Sequence, residues 1–213
     1  RLRLLHAQIE PHFLFNTLNA VSGLALDGNV TGTVRTLSLL GELLRETLRR
    51  DEQVLTIAEE LALLDLYLEI QHIRLEERLQ VRKYVDPDTL DAEVPTFLLQ
   101  PLVENAVRHG IARDSAPGWI DISVRRQGAM LQVTITDSGR GLGSAPVAFG
   151  VGLTNCTSRL EQLYGREHRF ELRNAGHGGA QVLVEWPWRR LKSKGAAART
   201  AAVPSRPPLA LVP

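Results

Sequence analysis

The chain has 213 residues, 44% of them hydrophobic and 23% charged, with a formal net charge of +1. That length supports one large domain or two small ones with a sizeable core, and the near-neutral balance selects neither nucleic acid nor an acidic surface as partner. A single cysteine, Cys156, excludes an internal disulfide, no Cys/His cluster has zinc-site spacing, and no apolar run approaches the roughly 20 residues that span a bilayer.

The N-terminus lacks the charged-then-apolar layout of a signal peptide, so a soluble, cytoplasmic chain is expected. It opens mid-pattern, with Arg1-Leu2-Arg3-Leu4-Leu5 already at helical spacing, which predicts the soluble part of a longer protein. Leu2, Leu5, Ile9, Phe13, Asn16 and Ala20 continue that spacing and predict a helix to about Leu26, ended by Asp27-Gly28-Asn29. Pro11 stands inside the pattern. Either it bends the helix by pressing on the carbonyl of Ala7, at about 3 kcal/mol or more, or it is the first residue of a helix that starts there, at no cost. His12, next to it, is either a partly buried packing residue or a group kept accessible for chemistry.

A second helix is expected from Thr31 to Arg50. Thr56-Ile57-Ala58-Glu59 is a capping-box pattern and predicts a long third helix to about Glu76. The period then changes. Leu79 to Val85 alternates like a strand, Phe97 to His109 is helical, and Ile120 to Arg126 and Leu131 to Thr136 are strands joined in a hairpin through Gln127-Gly128-Ala129. Gly152 to Tyr164 is helical again, and Arg169 to Arg173 and Gln181 to Trp186 are two further strands. Such a mixture packs as an α+β sandwich, a sheet with helices on one face. These shifts divide the chain into a helical region at 1–76, a mixed domain at 77–190, and a tail from 191 of disordered composition.

Three motifs in the second half carry chemistry together. Pro101-Leu102-Val103-Glu104-Asn105-Ala106-Val107-Arg108-His109-Gly110 places Asn105, Arg108 and His109 three and four positions apart, on one helix face. Asn supplies a neutral oxygen suited to Mg²⁺, which borrows its other ligands from water and phosphate. Asp137-Ser138-Gly139-Arg140-Gly141 follows a strand directly: the carboxylate can accept from an exocyclic amine such as that of adenine, and the glycines let backbone approach a flat base. Gly150-Val151-Gly152-Leu153-Thr154-Asn155 opens a helix, where backbone N–H groups favour phosphate. Taken singly, a solvated helix face, a strand-end turn and an isolated Gly-x-Gly are weak signals.

Their order, with Arg159-Leu160 further on, resembles the N, G1 and G2 boxes of the histidine-kinase-like ATPase superfamily. The resemblance implies a Bergerat-type ATP-binding fold. Together with IEPHFLFNTLN at Ile9 to Asn19 and YLEIQHIR at Tyr67 to Arg74, the chain resembles the LytS-type sensor histidine kinases over roughly Leu5 to Trp188. That family implies His12 as phosphoacceptor on a dimerising helical hairpin and ATP with Mg²⁺ as the phosphoryl donor. It implies further a homodimer, an aspartate of a response-regulator receiver domain as the next acceptor, and a membrane anchor only through an N-terminal sensor region absent from this chain. Asn105 is then assigned to Mg²⁺, Arg108 or His109 to phosphate, Asp137 to adenine, and Gly139, Gly141, Gly150, Gly152, Leu153 and Asn155 to the approach of nucleotide, with Leu142 to Phe149 as a short lid. Arg159 reaches phosphate or pairs on the surface.

Hydrolysing members of the superfamily place a carboxylate one turn before the metal-binding Asn. Here that position is Pro101, which cannot act as a base, and Glu104 points about 100° from Asn105 on an ideal helix; phosphoryl transfer is favoured over hydrolysis. Many histidine kinases carry an acid directly after the histidine, where this chain has Phe13, leaving Glu10 and Asn16 as local candidates to orient or deprotonate the imidazole. The segment Tyr67 to Arg74 either packs at the junction with the nucleotide domain, with Glu69 and Arg74 solvated, or acts directly. The competing readings are an ATP-binding regulatory module without autokinase activity and an anti-sigma-type serine kinase.

Overall fold

The computed structural model describes residues 11–49, 52–112, 116–143, 149–176 and 178–191, and of Pro11 and His12 the backbone alone. The helical pattern ahead of Pro11, including Glu10, lies outside the described residues, and with it the choice between a bend and a helix start. The middle of the expected lid and the tail after Leu191 lie outside them as well.

Helices α1 (Pro11–Leu26) and α2 (Val30–Arg49) are joined by the predicted turn. Gly28 takes φ 72° there, a conformation strained for any residue with a Cβ, and Asn29 Oδ1 accepts the N–H of Gly32 at 2.9 Å, the bond that caps a helix start. α2 buries one stripe, Thr36, Leu39, Leu40, Leu43 and Thr47. Its buried hydroxyls return to carbonyls one turn back, Thr36 to Gly32 at 2.8 Å and Thr47 to Leu43 at 2.8 Å, so burial leaves them satisfied.

Strand β1 (Val54–Thr56) feeds α3 (Ile57–Leu75) through the capping box read from the sequence: Thr56 Oγ1 accepts from Glu59 N at 3.2 Å and Glu59 Oε2 from Thr56 N at 3.0 Å. α3 buries residues on almost every side, among them Leu61, Leu64, Tyr67, Ile70, Gln71 and Leu75. A helix buried all round is a central one, and α3 separates the α1–α2 hairpin from a five-stranded sheet. That sheet holds β2 (Leu79–Val85), β4 (Gly118–Gln127), β5 (Met130–Asp137), β6 (Arg169–Asn174) and β7 (Ala180–Pro187), in the order β2-β4-β5-β7-β6. β2 lies parallel to β4, whereas the other pairs are antiparallel. Alternation puts Ile120, Ile122, Val124, Leu131, Val133, Ile135, Val184 and Trp186 on one buried face, covered by α4 (Leu99–Ala106) and α5 (Val151–Tyr164), which is the expected sandwich.

Two features depart from expectation. β3 (Glu93–Pro95) pairs with β1 in a separate two-stranded ribbon; each strand has three residues, too short for alternation to register. The helix expected over Phe97 to His109 starts at Leu99, and Val107–Ile111 is a π-turn. Phe97 itself stands at φ 57°, outside helical space.

The start of α4 is held by Glu60. This fully buried carboxylate of α3 accepts the N–H groups of Phe97 and, at 3.1 Å, Leu99. Arg159 of α5 makes a half-buried bond rather than a surface pair: its guanidinium donates to the Thr96 carbonyl and stands close enough to Glu60 to act on its charge. Burial pushes Glu60 up to about 7 from 4.5, against backbone N–H bonds that pull it down. Between those pH values the folded chain holds a proton that the unfolded chain releases. The stability this group contributes is therefore full below about pH 4.5 and lost as pH rises through 7, an effect of about 3 kcal/mol. Urea unfolding midpoints should fall between about pH 5 and pH 8, and Glu60→Gln, which removes the titration and one acceptor, should flatten that fall while lowering stability by about 1–3 kcal/mol at the acid end.

Candidate functional site

The Asp137 corner is built by close backbone packing. β5 ends on Asp137, which is buried, and its Oδ1 accepts the N–H of Gly139 at 2.9 Å and of Ala180 at 3.3 Å. Burial raises its pKa and those two bonds oppose the rise. A Cβ on Gly110 would stand 2.6 Å from Asp137 Oδ1, one on Gly139 2.3 Å from the Gly110 Cα, and one on Gly179 1.8 Å from the Asp137 carbonyl oxygen. Only glycine fits at these three positions. Gly110 and Gly179 belong to the site and were not singled out in the sequence, where nothing near them marks a packing partner so distant along the chain. Gly141, at φ 73°, is packed against Asn174, whose Oδ1 accepts the N–H of Leu142 at 2.6 Å. At the other end of the expected lid, Phe149 meets Phe170 edge-on at 5.4 Å.

Gly150 caps the start of α5, and the Thr154 N–H is bonded to its carbonyl at 3.0 Å. The N–H groups of Val151, Gly152 and Leu153 precede that first intrahelical bond, at the positive end of the helix dipole. Leu153 brings only backbone to this spot, since its side chain is in the core; Asn155 is half-buried one residue beyond Thr154. The guanidinium of Arg108 lies 3.8 Å from where a Cβ on Gly150 would stand, which sets a cation against this helix start. Arg108 Nε also donates to His109 Nε2 at 3.1 Å, and His109 is exposed.

α4 joins this corner to the helices. Asn105 is half-buried on it. Glu104 and Arg108, one turn apart, line a cleft whose far walls are Phe13 and Asn16 of α1 and Tyr67 and Arg74 of α3. Arg108 and His109 stand on the π-turn Val107–Ile111 that continues α4, and Arg108 reaches both the cleft, beside Glu104, and the start of α5. Phe13 packs on Tyr67 with ring centroids 5.1 Å apart. His12 directly precedes Phe13 and lies four residues before Asn16 in the same helix; its side chain lies outside the described residues.

The segment Tyr67 to Arg74 is the junction between helices and sheet domain, and it is not simply solvated. Tyr67 and Gln71 are buried, Glu69 pairs with Arg35 of α2, and His72 Nδ1 meets the Leu68 carbonyl at 2.9 Å. Arg74 turns into the cleft, where burial lowers its pKa and the charge of Glu104 supports it. Cys156, whose thiol burial pushes up to about 12, is no nucleophile. Among the described residues no group of three or more His, Cys, Asp or Glu is placed to hold a metal ion, and no helix is long and apolar enough to cross a membrane.

Comparison with known proteins bears on both halves. Residues 1–79 match the family model described as histidine kinase, and residues 91–190 the model of the histidine kinase-, DNA gyrase B- and HSP90-like ATPases. The chain is 30% identical over 188 residues to the sensor histidine kinase BtsS of Escherichia coli K12, covering 88% of this chain and 33% of that protein. It is 30% identical over 207 residues to the sensor protein LytS of Oceanobacillus iheyensis, covering 90% and 35%. The solved catalytic domain of the histidine kinase ThkA superimposes with a TM-score of 0.51 at 18% identity, covering 63% of this chain and 95% of that one, a likeness of fold. The chain spans about one third of the length of the curated relatives it matches. With the glycine-built Asp137 corner, the capped α5 and the α4 cleft in one fold, the chain is similar in both halves to sensor histidine kinases, its helical half matching the histidine kinase model and its sheet half the histidine kinase-like ATPase model, with LytS among its relatives.

Proposed function

We propose that this chain is the catalytic core of a two-component sensor kinase that transfers the γ-phosphoryl group of ATP to His12 and then to an aspartate of a response-regulator receiver domain. One observation carries the proposal: α4, the helix that bears Asn105, shares a cleft with the helix that bears His12, Glu104 and Arg108 on one wall and Phe13 and Asn16 on another, and Arg108 spans from that cleft to the start of α5. Donor and acceptor machinery therefore meet along one helix.

The roles follow from chemistry. Both backbone donors to Asp137 fall on Oδ1, leaving Oδ2 to accept from the adenine amine. The orphan N–H groups at the start of α5 and the Arg108 guanidinium hold phosphate oxygens. Asn105 supplies a neutral oxygen for Mg²⁺, whose other ligands come from phosphate and water; when bound, that ion neutralises charge on the transferring group. His12 attacks as neutral imidazole, the form whose ring nitrogen has a free lone pair. In phosphoryl transfer the protein chiefly positions groups and neutralises charge, and these residues do both.

The proposal takes residues 1–76 as the dimerisation and phosphoacceptor region and 77–190 as the nucleotide domain. Phe15 (67% exposed), Leu18 and Leu26 (89%) on α1, and Val30, Val34, Leu37 and Leu48 on α2, leave a long apolar stripe uncovered. Two such hairpins cover each other in a four-helix bundle, so the working unit is a homodimer. In the whole protein, a sensor region preceding this segment supplies the membrane anchor.

Incubation with γ-labelled ATP and Mg²⁺ should give acid-labile label on the parent chain and none on His12→Gln or Asn105→Ala. Nucleotide binding without label would favour a regulatory module, and acid-stable label a serine kinase. Gly110→Ala should displace Asp137 and weaken nucleotide binding at least tenfold, about 1.4 kcal/mol, by fluorescence titration. Val34→Glu with Leu37→Glu should convert the dimer to monomer in sedimentation velocity while the nucleotide affinity stays within twofold.

A further inference from the structure

Tyr67, Gln71 and Arg74 stand four and three residues apart, on one face of α3, and form the wall of the cleft to which no role has yet been given. Gln71 is 2% exposed, and its Oε1, like the Nε of Arg74, is buried with no hydrogen-bond partner; both residues line the cleft. Buried polar atoms are ordinarily paired, because an unpaired one pays its full desolvation cost. An orphan acceptor and an orphan cationic donor on the same wall therefore suit a guest that brings an anion and a donor together. The cleft has about 340 Å³ of open space, against roughly 30 Å³ for one water molecule, so a guest larger than water fits. Its described walls carry two guanidinium groups, Arg74 and Arg108, and one carboxylate, Glu104, which leaves positive charge in excess.

Arg108 indicates which anion. It lines the cleft and also stands at the start of α5, 3.8 Å from where a Cβ on Gly150 would be, beside the orphan N–H groups that favour phosphate. A chain of phosphates bound at that helix start runs past Arg108 toward the cleft, and its last member is the terminal phosphoryl group. We propose, on the footing that the start of α5 holds the phosphates of ATP, that Arg74 and Gln71 form the subsite for that terminal group. Arg74 Nε donates to one of its non-bridging oxygens, and Gln71 Oε1 accepts from a water molecule bound to it. An arginine does not lose its proton in a protein, so the part of Arg74 is charge and position, the two things that phosphoryl transfer asks of a protein. ADP lacks the group this subsite holds, and the subsite therefore reads ATP from ADP. The same stripe seats α1, since Phe13 packs on Tyr67; one face of α3 thus receives the terminal phosphoryl group at one end and the helix of the acceptor at the other.

The test uses the full 213-residue chain and compares, by calorimetry with Mg²⁺, the affinities of ADP and of the β,γ-imido analogue of ATP. In Arg74→Gln the analogue should bind about 30-fold more weakly, within the range of a hydrogen bond to a charged group, while ADP stays within twofold of parent. Gln71→Glu, nearly the same in shape, sets a carboxylate against the phosphoryl group and should weaken the analogue about tenfold or more with ADP again unmoved. Arg74→Lys, a point charge in place of the planar fork, should recover part of the loss. Inorganic phosphate should bind the ADP-loaded chain and be displaced by the analogue. Analogue and ADP weakened alike in Arg74→Gln make Arg74 a structural residue and overturn the inference, as do affinities that both stay put. Phosphate bound equally with ADP and with the analogue present belongs to a separate anion site and overturns it too. A parent chain that shows the Arg74-dependent preference for the analogue yet takes no label from ATP supports the subsite and overturns the transfer; a labelled parent whose preference survives Arg74→Gln overturns the subsite alone.

Discussion

A carboxylate sunk between α3 and the first turn of α4 is the constraint on which the rest of this molecule hangs. Ionised and alone, Glu60 would cost several kcal/mol in such a place. It is tolerated because it sits at the positive end of α4, takes the N–H groups of Phe97 and Leu99, and has Arg159 nearby. In return it holds Phe97 at φ 57°, a backbone state that costs a bulky residue about 1–3 kcal/mol and that fixes where α4 begins. Glu104 and Asn105 ride on α4, and Arg108 on the π-turn that continues it. Their distance from α1 and from the glycine corner is therefore set by a bond that none of them makes.

That helix faces two ways. On one side it is stitched to the sheet by backbone contact too close for any side chain, Gly110 against Asp137 and Gly139; on the other it presents charge to a cleft shared with α1 and α3. The π-turn at Val107–Ile111 continues α4 and carries Arg108, which reaches both the cleft and the start of α5. π-turns gather at functional sites, and this one stands between the glycine corner and the cleft shared with α1.

Much of this was legible in the sequence, and the divide is physical. Signals confined to a few neighbouring residues could be read: the Thr56–Glu59 capping box, the Gly28 and Gly128 turns, and the alternation of β4, β5 and β7 all stand where their patterns put them. Signals whose meaning depends on a distant partner could not. Glu60 reads as a second exposed acid beside Glu59 until Phe97 and Leu99 arrive from nearly forty residues away. Arg159 looks like a surface or phosphate-binding cation until it meets the Thr96 carbonyl. Gly179 shows its necessity only against Asp137, and β1 and β3 are too short for periodicity to reveal their pairing.

The claim that donor and acceptor meet along α4 stands or falls on where the phosphoryl group lands. The most direct measurement is mass-spectrometric mapping of the chain after incubation with Mg-ATP, digested and handled at alkaline pH so that phosphoramidates survive. Phosphate on the peptide bearing His12, and on that imidazole by fragmentation, is the result this account predicts. Phosphate on a serine or threonine, on another histidine, or on no residue of a chain that binds ATP would contradict it.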